Sequence, residues 1–377
     1  MKDMIEHADG INIYINEFLE YLNKNEKSSY KIFAEVDSEY SSFENELIYS
    51  VSDMVDTLFK KMSEGRGISP EIHVFCVKDE IVNAFCFVTN KHYYIGIHSA
   101  TYIELIRRTQ ILSDYLVQND HWGYYKNRNV SNVQALLWNY AFKMILTHEY
   151  MHIILGHCDT ICEERAFLWE NGDTEELPEI LNLIELQAIE MFADEFSAID
   201  AAWQIMMKGK DVENIKFRLL NFYLAALLVF SIFHNYSGND ITHPKLGIRL
   251  HSIITAVDDM IVKGLDVPNP KEQIEKIDNI IYVFMEIAQQ YPDLFAYDIV
   301  TEYGMDEFDR EYIDLYNAAA DVVKITNMKA IYPIDEFEKM DQSILELLDW
   351  EKDFLYKAQK SGMSYEEACE LMEKMRK

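Results

Sequence analysis

Basic residues are scarce in this sequence of 377 residues. Lysine and arginine together number 34, against 65 aspartates and glutamates, which gives a formal net charge of −31. A surface of that charge repels the phosphate backbone of nucleic acids and the anionic headgroups of lipids. We therefore expect neither nucleic acid nor a membrane surface to be a partner of this protein.

Cysteine is scarce as well, and the five cysteines are widely scattered along the chain. An odd number of distant cysteines does not form a disulfide framework and is typical of a reducing compartment. The first ten residues, MKDMIEHADG, contain neither the basic segment nor the apolar segment of a secretory signal. These features predict a cytoplasmic protein.

Long apolar runs are nearly absent. The most apolar stretch is FYLAALLVFSIF, residues 222–233, which Asn221 directly precedes. A transmembrane helix needs about 20 such residues, so we predict a buried core helix here, with a membrane-anchored protein as the alternative.

What the chain does contain is enough apolar sequence, 49%, to form a sizeable core. Its patterning predicts three regions: a helical region over residues 1–65, a central domain over 66–266, and an acidic helical region over 267–377 that begins with VPNP. We expect a mainly α (α+β) fold. The C-terminal region is a candidate interaction module.

The central domain begins with short β-rich segments, EIHVFCV, AFCFV and HYYIGI, which predict a small sheet. Helical patterns then follow. One continuous helix is predicted over residues 132–158 and a second over 180–207, with an acidic loop at 170–179 between them.

The first of these helices contains THEYMHIILGHCD. His148 and His152 are four residues apart, so both imidazoles project from one face and can reach one zinc ion. Glu149 lies beside the first histidine, where it can act as the general base of a zinc hydrolase. This is the His-Glu-x-x-His pattern. The alternative is a histidine pair that packs in the core and is satisfied by carbonyls or carboxylates.

A catalytic zinc requires a third protein ligand. His157 would lie about 140° from the ligand face if the helix continued, so we expect it to cap or pack at the helix end, after Gly156. The second helix contains EMFADEFSA, in which Glu190 and Asp194 share a face. Glu190 could complete the ligand set, and Asp194 could accept the N–H of His148. A solvated acidic face is the alternative, although the apolar neighbours argue against it.

Four motifs occur in order: NAF (83–85), HEYMHIILGH (148–157), EMFAD (190–194) and THPKLGIRL (242–250). In these motifs the sequence resembles the zinc metallopeptidases that include the heat-shock protease HtpX and the CAAX prenyl proteases, over about residues 70–255. The well-known members have several membrane spans, whereas this chain has one marginal candidate. The resemblance implies a soluble member with a zincin-like core and one Zn²⁺ ion.

The resemblance also implies site residues. It gives His148, His152 and Glu190 as zinc ligands, Glu149 as the general base, Asp194 as a support, and His243 and Arg249 as catalytic residues that line the site. For Arg249 the alternative is a structural ion pair with a buried carboxylate. We further expect an extended peptide substrate to add to an edge strand near HYYIGI. Its binding residues would be Asn83, Tyr94 and Ile95.

The sequence thus predicts a zinc-dependent endopeptidase that acts on a protein or peptide. Two alternatives remain open. One is a zincin-like binding or regulatory module with little or no peptidase activity. The other is a peptidase of the phage-exclusion type, which acts on one host protein.

Overall fold

A computed structural model describes most of the central domain and parts of the flanking regions. The described residues are 17–22, 31–32, 72–89, 92–160, 183–209, 211–237, 243–264, 280–295, 313–315 and 318. Helices dominate these residues and one small mixed sheet accompanies them. The predicted mainly helical α+β class is confirmed.

The sheet has four strands in the described chain. They are β1 (Lys31–Ile32), β2 (Ile72–Lys78), β3 (Ala84–Thr89) and β4 (His92–His98). The spatial order is β1-β2-β4-β3, with β2 and β4 parallel and the other pairs antiparallel. The three predicted strands are confirmed. Within the region predicted as helical, residues 17–22 are helical, whereas Lys31 and Ile32 form β1 and pair with the end of β2.

HYYIGI, near which we expected an edge strand, is not itself at the edge of the sheet. This segment is β4, which lies between β2 and β3; its Ile95 is paired with Val74 on one side and Cys86 on the other. Its nearly continuous apolar sequence is typical of a central strand that is buried on both faces. At that side of the sheet, β3 is the last of the described strands, and its residues 84–88 are at most 5% exposed.

Seven helices follow the sheet among the described residues up to 290. They are α1 (Ser99–Asn119), α2 (Val130–Ile154), α3 (His157–Thr160), α4 (Leu183–Lys208), α5 (Val212–Ser237), α6 (Leu246–Gly264) and α7 (Ile280–Gln290). The apolar periodicity predicted α2 and α4 but not α1. The buried face of α1 includes polar residues such as Thr101, Glu104 and Arg108, which weaken the periodic signal.

The core forms where α2 packs against α1, α4, α5 and the sheet. In the described chain, one helical segment, Val212–His234, has the length and composition of a membrane span, but 94% of its most apolar window is buried inside the protein. Such burial is typical of a core helix. Asn221 is accommodated there because its amide donates to the Phe217 carbonyl (2.6 Å) and accepts from the Tyr125 hydroxyl (3.2 Å).

Both flanking regions contribute to the packing. Phe18 and Tyr21 stack on the aromatic face of the sheet: both contact Phe87 of β3, and Phe18 also contacts the neighbouring Tyr94 of β4. Phe284 and Ile287 of α7 belong to the main core. The division into three regions stays a prediction, and the acidic loop at 170–179 and the boundary at 267–270 lie outside the described residues.

Candidate metal centre

The middle of α2 buries three ionisable side chains. His148, Glu149 and His152 are 8%, 4% and 0% exposed. Burying such groups costs free energy unless partners satisfy them. For the two histidines these partners come from α4, which packs against α2.

Glu190 of α4 reaches both histidines of α2. Its Oε2 lies 3.1 Å from Nε2 of His148, and its Oε1 lies 3.4 Å from Nε2 of His152. The two Nε2 atoms are themselves 3.1 Å apart. The structure therefore brings the three predicted ligands together. The order of contacts, with His152 near Glu190 and His148 also near Asp194, is that of antiparallel helices.

These separations fit a zinc site. Ligand atoms at 2.0–2.1 Å around a tetrahedral zinc are about 3.3 Å from one another. Two imidazole nitrogens and a carboxylate oxygen are also donors that zinc accepts. Two imidazole nitrogens that face each other at 3.1 Å need a shared proton or a cation between them.

A further imidazole reaches the same carboxylate. Nε2 of His243 lies 2.9 Å from Oε2 of Glu190. His148, Glu190 and His243 form a group whose ligand atoms lie within 4.8 Å of one another and could hold a metal ion. The His243 side chain is 22% exposed, so it faces solvent more than the other groups of the cluster do.

Asp194 lies one turn beyond Glu190 and supports His148. Its Oδ1 is 2.9 Å from Nδ1 of His148, but the two groups are not aligned as in a regular hydrogen bond. Arg249 donates to both oxygens of Asp194, at 2.6 Å from Nε and 3.0 Å from Nη2. The Arg249 guanidinium also lies over the Phe230 ring at 4.8 Å.

The resemblance implied that Arg249 lines the site as a catalytic residue. The structure places its guanidinium behind Asp194, in a row Arg249–Asp194–His148. The residue is carried there by α6, which begins at Leu246, two residues after Pro244.

The charged groups of the cluster shift one another's pKa values. Burial alone lowers the pKa of His148, but Asp194 and then Glu190 outweigh it and raise the pKa to about 10. Burial raises the pKa of Glu190, whereas His243 and His152 together hold it well below its ordinary value. Burial also raises the pKa of Asp194, but Arg249 and His148 together outweigh it, so the pKa is lowered. The carboxylates therefore remain ionised and favour a bound cation.

Glu149 lies on the same helix but outside this network of ion pairs. Burial raises its pKa, against the opposing effect of His148 and His152, and the Cys86 thiol hydrogen-bonds to it. Its Oε2 has no hydrogen-bond partner among the described residues. A buried carboxylate oxygen without a partner is rare and indicates a functional role.

His157 belongs to the cluster, and the sequence prediction did not place it there. The predicted continuous helix over 132–158 is wrong at its end, because α2 stops at Ile154 and Gly156 adopts φ 73°. This turn brings Nδ1 of His157 to 2.9 Å from Nδ1 of His152. Burial holds the pKa of His157 well below its ordinary value. Gly156 was the sequence signal for this turn, since a glycine with positive φ commonly ends a helix.

The predicted substrate-binding residues do not lie on an open strand. Tyr94 and Ile95 are fully buried in β4. The Asn83 carbonyl accepts from the Thr101 hydroxyl (2.9 Å) and the His98 N–H (3.0 Å), which joins β3 to the start of α1. Burial in a central strand prevents Tyr94 and Ile95 from contacting an added peptide strand.

A family model described as Peptidase U49 matches residues 101–260. That range contains α2, α4 and the segment from His243 to Arg249. The match supports a peptidase. It does not support the more specific resemblance to the HtpX and CAAX prenyl proteases. No curated protein and no solved structure matches the chain.

Proposed function

We propose that the protein is a zinc-dependent endopeptidase. One observation carries this proposal: Nε2 of His148, Nε2 of His152 and the Glu190 carboxylate lie within 3.1–3.4 Å of one another, with Glu149 next to them on α2. The peptidase family match over the same residues supports it.

His148, His152 and Glu190 would hold the ion. Asp194 faces the other ring nitrogen of His148, which directs the Nε2 lone pair of that histidine to the site. Arg249 in turn fixes the Asp194 carboxylate with two hydrogen bonds. A bound zinc supplies Lewis acidity, which polarises a carbonyl and lowers the pKa of water to about 7.

Glu149 performs the proton transfers. Its buried carboxyl, with a raised pKa, accepts a proton from the attacking water and returns it to the departing amine. The Oε2 atom has no competing partner among the described side chains, so it is available for that hydrogen bond.

His243 defines the side from which a substrate approaches. It is the most exposed member of the cluster, whereas the ligands on α2 and α4 are almost entirely buried. An N–H of this imidazole can donate to the oxyanion that develops on the substrate carbonyl. The resemblance gives it the same place in the site.

The decisive experiment compares the zinc-loaded wild type with Glu149→Gln. Both are incubated with a proteome-derived peptide library, and new N-termini are identified by mass spectrometry while bound zinc is measured. We expect Glu149→Gln to retain zinc and to lose cleavage by a factor of about 10² or more. Glu185→Gln, on the first turn of α4, is the control that should cleave as the wild type does.

Other outcomes contradict the proposal or refine it. A zinc-loaded wild type that produces no new termini would favour the binding module. Unchanged cleavage by Glu149→Gln would exclude this residue as the base. Incubation with whole folded proteomes then distinguishes a broad endopeptidase from a peptidase that acts on a single host protein.

A further inference from the structure

His152 makes a contact on the side of its ring that faces away from Glu190. Its Nδ1 lies 2.9 Å from Nδ1 of His157, and the two rings meet at 65° with centroids 5.0 Å apart. Both residues are at most 1% exposed. This hydrogen bond is therefore shielded from water.

A hydrogen bond between two imidazole nitrogens needs one N–H and one lone pair. A neutral imidazole carries a single proton, so its two nitrogens have opposite roles. If His152 offers the Nε2 lone pair to a cation, its proton must be on Nδ1. His157 must then accept the hydrogen bond from that N–H through an unprotonated Nδ1. Its own proton must be on Nε2.

We propose that His157 is a positioning residue that selects the metal-binding tautomer of His152. This inference rests on the zinc site of the proposed function. It assigns His157 the role at His152 that Asp194 has at His148. A metal-ligating imidazole usually donates its other N–H to such an acceptor, which fixes the ring and raises its basicity.

The backbone places His157 for this role. In an uninterrupted helix, a residue five positions after His152 would point about 140° away from it. Gly156 at φ 73° ends that helix and returns the chain over the His152 ring, and α3 begins directly at His157. The turn at Gly156 therefore allows the His157 ring to reach the His152 ring.

The first test measures the tautomers directly. In zinc-loaded wild type labelled with ¹⁵N-histidine, long-range ¹H–¹⁵N spectra are assigned with single histidine variants. We expect His152 to be protonated at Nδ1 and His157 to be protonated at Nε2. The reverse direction, with His157 donating to an unprotonated His152 Nδ1, would overturn the proposal without any measurement of activity.

The second test uses a matched pair of similar size, His157→Asn and His157→Leu. Asparagine retains an acceptor oxygen near the position of Nδ1, whereas leucine has none. Zinc affinity is measured by competition with a chelator. We expect His157→Leu to bind zinc about 10–100-fold more weakly than the wild type, and His157→Asn to retain most of the affinity.

Thermal unfolding of the metal-free variants separates positioning from folding. A purely structural role predicts that the two variants lose zinc affinity equally, in proportion to their loss of stability. If the wild type binds zinc and His157→Leu binds it equally well, this inference alone fails. If the wild type binds no zinc, the proposed function and this inference fail together.

Discussion

The Glu190 carboxylate and the His148 imidazole are 42 positions apart in the chain and 3.1 Å apart in the fold. They lie on separate helices, α4 and α2, and their contact depends on how α4 is rotated about its axis. A shift of one residue rotates the facing side chain by about 100°, which would turn Glu190 away from the histidines.

Glu190→Ala should abolish tight zinc binding, because it removes a ligand and leaves the imidazoles without a counter-charge. The loss should exceed the 10–100-fold that is typical of a supporting residue. Glu185→Ala on the same helix is the control and should bind zinc as the wild type does. Metal analysis after dialysis against a weak chelator measures both, and equal zinc contents would contradict the assignment.

Either His152 or His243 could be the second imidazole ligand beside His148. We expect His152→Ala to lose zinc, because its Nε2 is 3.1 Å from that of His148 in a fully buried position. His243→Ala should retain zinc and lose turnover, since that side chain faces the more solvent-exposed side. Loss of zinc in His243→Ala with retention in His152→Ala would exchange their roles.

Arg249→Met should destabilise the protein by about 3–5 kcal/mol, because it leaves the buried Asp194 carboxylate without its cation. In the double variant with Asp194→Asn the cost should be smaller than the sum of the two single costs. Urea denaturation measures all three. Arg107→Met breaks a half-exposed pair with Glu104 and should cost only about 0–1 kcal/mol.

Glu195 should make stability fall as pH rises. Burial raises its pKa to about 7, although the Ser252 hydroxyl donates to it. A carboxyl that binds its proton more tightly in the folded state stabilises that state at low pH. This contribution is present below pH 4.5, the ordinary value, and is lost as the pH rises through 7.

Glu195→Gln tests that effect, since glutamine remains neutral at every pH. From pH 4.5 to pH 8 the variant should gain stability relative to the wild type by up to about 3 kcal/mol. Denaturation curves of both proteins at several pH values give this difference. Parallel pH profiles for the two proteins would show that Glu195 has an ordinary pKa.

Leu227 tests the burial of α5. Its side chain is 0% exposed in the main core, so Leu227→Ala should cost about 2–5 kcal/mol in the free energy of unfolding. Trp203 is 54% exposed, and Trp203→Ala should change stability by less than about 0.5 kcal/mol. A helix that contacted lipid instead of the core would not show this contrast in detergent-free buffer.

The strands show which features of the sheet could be predicted from sequence patterns. Apolar and β-branched runs located β2, β3 and β4 to within about two residues, because strand propensity is local. Their order in the sheet was not predictable. Ile95 pairs on both sides, with Val74 and with Cys86, and this follows from long-range packing that no single segment encodes.

By itself, the sequence determined which side chains share a helix face, since the helical period is fixed by backbone geometry. It therefore placed His148 with His152 and Glu190 with Asp194. The tertiary structure decided which of these faces meet, because helix packing depends on the whole apolar surface of both partners. It also decided the contact between His152 and His157, because the turn at Gly156 breaks the helical period on which the sequence prediction for His157 depended.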